Sequence, residues 1–68
     1  MIIILDAMGG DNAPDATIKG AVRAINQIEA DILLVGNVEV INQKVKEFYG
    51  KNDISEVSPR IKVHHTTE

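Results

Sequence analysis

Two short aliphatic runs, Ile2-Ile3-Ile4-Leu5 and Ile32-Leu33-Leu34-Val35, constrain this chain more than any other feature. Each is too short for a buried helix and lacks the alternation of a strand with one wet face. Each therefore predicts a strand covered on both faces, the situation of strands in parallel sheets. After the first run, Ile18, Ala21, Val22, Ile25 and Ile28 recur at steps of three and four, with Lys19, Arg23, Asn26 and Gln27 on the other side. That spacing predicts an amphipathic helix over about residues 13–28. Gly20 inside it costs roughly 1 kcal/mol against alanine, which points to close approach between helix and sheet. After the second run, Asn37 suits a helix cap. Val38, Ile41, Val45 and Phe48 or Tyr49 form an inward stripe, and Gly50 supplies a stop, giving a helix over about 38–49. The polar segment Lys51–Pro59 reads as a loop with a short helical turn. Beyond it Ile61 and Val63 alternate with Arg60, Lys62 and His64, which predicts a third strand over about 60–64, less buried or nearer an edge. The first two strands span about 2–6 and 31–35.

The resulting order is β-α-β-α-β. Two crossovers of this length require parallel strands with right-handed connections, hence half of a doubly wound α/β sheet of Rossmann-like type. In such sheets ligands bind beyond the carboxyl ends of the strands. Three loops meet there: Asp6 to Ala13, Gly36 to Asn37, and whatever follows His64.

At 68 residues the chain makes one small domain at most, and such a domain buries only about 60% of the surface its unfolded chain exposes. The absence of cysteine excludes disulfides, thiolate nucleophiles and cysteine-based zinc sites, and fits a reducing, intracellular setting. The amino terminus has no basic region and its apolar run is stopped by Asp6, so neither a signal peptide nor a membrane span is expected. The formal charge of −3, with scattered bases and no aromatic interleaving, argues against nucleic acid as a partner.

The loop at the first strand's end, within Leu5-Asp-Ala-Met-Gly-Gly-Asp-Asn-Ala-Pro-Asp-Ala16, carries the chemistry. Gly9 and Gly10 permit positive φ and close backbone approach; Asn12 suits the helix cap, with Asp15 three residues on. Free amides at a helix start after a glycine turn make an anion site, so Gly9, Gly10, Asp11 and Asn12 are candidate phosphate-binding residues. Asp6, Asp11 and Asp15, with no lysine or arginine among them, would repel an anion unless they act as caps, hold a cation or orient other groups. The plainer reading makes Asp11 and Asn12 turn and cap residues alone. Asp6, an acid closing an apolar strand at the ligand edge, is the candidate catalytic residue, the alternative being a structural pairing. No G-x-G-x-x-G or P-loop pattern is present, and the second strand does not end in a ribose-binding acid. His64 and His65 point to opposite strand faces, so at most one serves the site; the other reading is a contact with a domain or subunit.

The stretches ILDAMGGDNAPDATIKGAV, ADILLVGN and RIKVHHTTE resemble the amino terminus of the bacterial phosphate acyltransferases of the PlsX family, proteins of fatty acid and phospholipid synthesis. The D-A-M-G-G-D-x-x-P signature, Asp6 to Asp11 with Pro14, carries the likeness. The resemblance implies an amino-terminal βαβαβ piece, residues 1–68, of a larger three-layer sheet like that of isocitrate and isopropylmalate dehydrogenases. It implies transfer of a fatty acyl group from acyl carrier protein to inorganic phosphate, forming acyl phosphate. It further implies a cytoplasmic homodimer with peripheral membrane association and no cofactor or metal. Family members are several times longer, and their lysine and arginine positions lie beyond Glu68, so the piece alone is expected to be inactive. Two alternatives stand beside this reading: a phosphotransacetylase-like or metal-dependent dehydrogenase-like enzyme whose carboxylates hold Mg²⁺, and a non-catalytic domain binding acyl carrier protein or membrane.

Overall fold

The computed structural model describes residues 1–66. Thr67 and Glu68, the end of the RIKVHHTTE stretch, lie outside the described residues. The elements are β1 (Ile2–Asp6), α1 (Asp15–Ile25), β2 (Asp31–Gly36), α2 (Val38–Tyr49), α3 (Ile54–Val57) and β3 (Ile61–His65). The three strands form one parallel sheet in the order β1-β2-β3, with β2 central and β3 at an edge. Ile2 pairs with Asp31 and Ile32 with Ile61, so each pairing advances the chain by the same 29 positions.

Strand side chains alternate between the faces. Ile3, Leu5, Ile32, Leu34, Ile61 and Val63 share the face that the helices cover, joining Ile18, Ala21 and Ile25 of α1, Ile41 and Val45 of α2 and Ile54 of α3 in a single core. Each large aliphatic side chain buried there contributes roughly 1.5–3 kcal/mol. The opposite face differs from the two-sided burial predicted for the aliphatic runs. Ile2 and Ile4 are 64% and 66% exposed, because among the described residues both long helices pack on the other side. The piece therefore has two layers; the apolar run marks a strand suited to cover on both faces without supplying the second cover.

Helix α1 is shorter than the 13–28 predicted, for a reason at each end. Its amino-terminal cap is Pro14, with no side-chain capping bond; the backbone carbonyl of Asn12 accepts from Ala16 N at 3.0 Å, while the Asn12 side chain is not the cap expected of it. At the other end Arg60, entering β3, donates from Nη1 to the carbonyls of Ile28 (2.9 Å) and Ala30 (3.1 Å) and from Nη2 to that of Ile25. The Ile25 carbonyl, at the helix's last residue and without an intrahelical donor, finds a cation there, the sign the helix dipole favours, and the other two bonds tie the loop beyond it. Gly20 is exposed, and a Cβ added to it meets nothing within 4 Å. The close helix–sheet approach inferred at Gly20 is absent, and no contact requires glycine at that position.

Helix α2 has conventional ends. Asn37 Oδ1 accepts from Glu39 N (2.9 Å) and Val40 N (3.1 Å), and Gly50 closes the helix in the left-handed region at φ 69°. The two long helices are joined across their outer faces by Lys44, whose ammonium lies 3.4 Å from Asp15 and 3.8 Å from Glu47, and by Lys19 stacked 4.2 Å from the Phe48 ring centre. Short α3 is capped by Asp53, which accepts from the Ser55 amide (2.9 Å) and hydroxyl. No helix among the described residues is long and apolar enough to cross a membrane.

Candidate active site

The parallel order puts the ends of β1, β2 and β3 at one edge, and the glycine turn leaves from it. Pairing continues one residue past Asp6, since Ala7 N donates to Val35 O at 2.9 Å and Ala7 is fully buried. The chain then reverses. Asp6 Oδ1 accepts from Met8 N at 3.0 Å, an aspartate bonding the backbone two residues on, which is how such side chains stabilise turns. Asp6 Oδ2 lies against Gly9, where an added Cβ would come within 3.0 Å of it. A side chain at Gly9 would crowd the carboxylate, and Gly10 is required by its backbone, which has φ 93°. Asp6 serves structure with one oxygen and remains exposed at the strand edge.

The aspartates of the loop separate. Asp15 turns toward α2 and pairs with Lys44. Asp11 and Asn12 are exposed, and among the described residues their side chains have no hydrogen-bond partner. Among the described residues no three His, Cys, Asp or Glu side chains converge as metal ligands, so the three aspartates do not form a cation cage. The start of α1, free of a side-chain cap, is separated from the glycines by the turn Asp11-Asn12-Ala13-Pro14.

An open cleft of about 280 Å³ lies at this edge, lined by Asp6, Met8, Val35 and Thr66. Its size suits a small polar group; pockets for drug-sized ligands run to about 300–1,000 Å³. A larger groove of about 640 Å³, lined by Lys19, Val22, Arg23, Phe48 and Tyr49 among others, lies between α1 and α2, away from the strand ends. The chemistry favours the smaller cleft, because Asp6 lines it; of the other candidates, Gly9, Gly10, Asp11 and Asn12 are not among its lining residues.

Met8, Val35 and Thr66 are cleft residues that sequence reasoning did not identify. Met8 is held there by a glycine on the neighbouring strand: a Cβ at Gly36 would lie 2.8 Å from Met8 Cγ and 3.1 Å from its sulfur. Thr66 arrives because its amide donates to Gly36 O at 2.9 Å, extending the β2–β3 ladder beyond His65. The period-two signal of β3 carried one step further was the available clue. The two histidines do part, His65 with the helix-covered residues and His64 opposite. His65 Nδ1 accepts from Val38 N at 3.0 Å.

The whole chain, residues 1–68, matches the model of a family described as fatty acid synthesis protein. It is similar to a phosphate acyltransferase of Acetivibrio thermocellus, 41% identical over 69 residues that cover all of this chain and 19% of that protein. It is likewise similar to one of Alkaliphilus oremlandii, 44% identical over the whole chain and 18% of that protein, and to one of Thermosynechococcus vestitus, 53% identical over 66% of the chain. The chain thus spans about a fifth of the length of the curated relatives it matches. A glycine turn at the carboxyl edge of a parallel sheet and a match running from end to end agree: this chain belongs to the fatty acid synthesis protein family.

Proposed function

We propose that the full polypeptide transfers a fatty acyl group from acyl carrier protein to inorganic phosphate, and that this chain provides the first strand-to-helix turn of its site. The observation that carries the reading is the end-to-end similarity to proteins named phosphate acyltransferase. The glycine turn beside the Asp6 cleft supports it, being a place where backbone amides could meet an anion.

In the reaction a phosphate oxygen attacks the thioester carbonyl. A C–O bond forms, the C–S bond breaks, and the carrier's sulfur leaves as thiolate and takes up a proton. Alignment and stabilisation of the oxyanion accomplish this without an acyl-enzyme. Asp6 holds the turn through Met8 N and orients the approaching groups. Gly9, Gly10 and the amides opening α1 face phosphate or the thioester oxygen, with Asp11 and Asn12 at the rim. The cations that a phosphate site requires come from chain outside these residues. A homodimer that works in the cytoplasm and touches the membrane peripherally completes the reading.

The test uses the full-length protein and measures phosphate-dependent loss of acyl carrier protein thioester with formation of acyl phosphate. Wild type should form acyl phosphate; Asp6→Asn and Gly10→Ala should be slowed. Absence of product with wild type refutes the activity, and unchanged rates in both variants refute the role of the turn.

A further inference from the structure

We propose that His65 is a positioning residue for the strand-edge site: its ring fastens the start of α2 to the end of β3 and thereby holds one wall of the Asp6 cleft. The reading rests on the proposed acyl transfer for its kinetic consequence and on geometry for the rest.

The first amides of a helix have no partner within it. In α2, Asn37 takes those of Glu39 and Val40, and the remaining one, Val38 N, donates to His65 Nδ1 at 3.0 Å across 27 residues of sequence. In this bond Nδ1 is the acceptor, and Nε2 takes no part in it. The next residue, Thr66, donates its amide to Gly36 O at 2.9 Å and lines the cleft. The segment Gly36–Val38 is therefore gripped by β3 twice, once through the Thr66 backbone and once through the His65 ring. The grip passes on to the opposite wall, because Met8 packs over Gly36 in a space too small for a Cβ, and Met8 N is the amide that Asp6 binds. The links run from His65 to Val38, along the backbone through Asn37 to Gly36, and by packing to Met8, whose amide Asp6 binds at the glycine turn.

Side-chain geometry allows the two ring nitrogens to be tested apart. Asparagine places Oδ1 near the position of Nδ1 and keeps the acceptor for Val38; glutamine and leucine do not. In the full-length protein, hydrogen exchange at Val38 and Met8 is measured with steady-state constants for acyl transfer to phosphate. His65→Leu and His65→Gln should speed exchange at both amides by about tenfold, the loss of one ordinary hydrogen bond, and lower kcat/KM for phosphate similarly. His65→Asn should remain near wild type in both measurements. Unchanged exchange in the leucine and glutamine variants overturns the proposal. So does faster exchange with unaltered kinetic constants, which leaves His65 a helix cap alone, and so does an asparagine variant as impaired as leucine. If wild type forms no acyl phosphate, the functional reading fails by itself; exchange at Met8 then decides the positioning role, and its constancy in the leucine and glutamine variants overturns it.

Discussion

Replacing Arg60 by methionine removes a guanidinium that ties three chain segments while keeping a long apolar stem. The guanidinium donates to the carbonyls of Ile25, Ile28 and Ala30, and the Arg60 carbonyl accepts from Ile32 N at 2.9 Å, so one residue joins the end of α1, the start of β2 and the start of β3. A hydrogen bond to a charged group is worth about 1.5–3 kcal/mol, and a cation at a helix carboxyl end adds about 0.3–1 kcal/mol. The three bonds share one charge and Arg60 is only half-buried, so the sum is well below additive. A net loss of about 2 kcal/mol follows, which is roughly 30-fold in a local opening equilibrium. Exchange at Gln27, Asp31 and Ile32, followed in the full-length protein, reads this opening directly, whereas a global melt of a large protein need not be two-state. Arg60→Lys should recover part of the protection, since a single ammonium cannot span all three carbonyls. Exchange in Arg60→Met within twofold of wild type would refute the assignment of these bonds as stabilising.

Gly36→Ala should cost about 1–3 kcal/mol by overpacking against Met8, and Met8→Ala in the same protein should recover most of it; a double-mutant cycle with no coupling would contradict the packing described. The Asp53 carboxyl is held below its usual range, first by the Ser55 hydroxyl, an effect that desolvation opposes and that the Ser55 and Glu56 amides reinforce more weakly. A lowered pKa contributes stability that is present above the unfolded-state value and lost as pH falls through the folded one. NMR shifts of the α3 amides should therefore titrate in that acidic window, and Asp53→Asn should abolish the transition. The isolated 68-residue chain should self-associate through its bare sheet face, and Ile2→Lys with Ile4→Lys should raise the monomer fraction in sedimentation; equal association would place the contact elsewhere.

The alternation of strands and helices was legible because each aliphatic run is bounded by residues with one strong local preference. Asn37 caps α2 and Gly50 stops it through bonds made within a few positions, the range over which sequence pattern speaks. The carboxyl-edge location of the glycine turn followed from strand order. What failed was local preference meeting more than one use. Asn12 has a good capping side chain, yet the chain turns through Pro14 and uses its backbone carbonyl instead. Gly20 departs from helix preference with no contact behind it. Arg60 and His65 act on partners up to 35 and 27 positions away, so no periodicity announces them. The cleft walls at Met8 and Thr66 depend on where neighbouring strands stop, which is a property of the register and not of any one segment.

That register has a bearing on how the sheet assembles. Because both pairings of β2 span 29 positions, closing either crossover costs nearly the same chain entropy. Neither βαβ unit has a head start from loop length, and the sequence of events falls to the contacts each unit makes for itself. The later unit, β2-α2-α3-β3, is internally latched: His65 to Val38 and Thr66 to Gly36 at one end, Ile32 to the Arg60 carbonyl at the other. The earlier unit has matching backbone bonds at its two ends, Ala7 N to Val35 O and Asp31 N to Met1 O, but no side-chain tie like that of His65, and it takes its Arg60 side-chain clasp only after β3 is in place. Refolding that begins in the second crossover and adds β1 last is the order this wiring favours, the reverse of the order in which a ribosome delivers the strands.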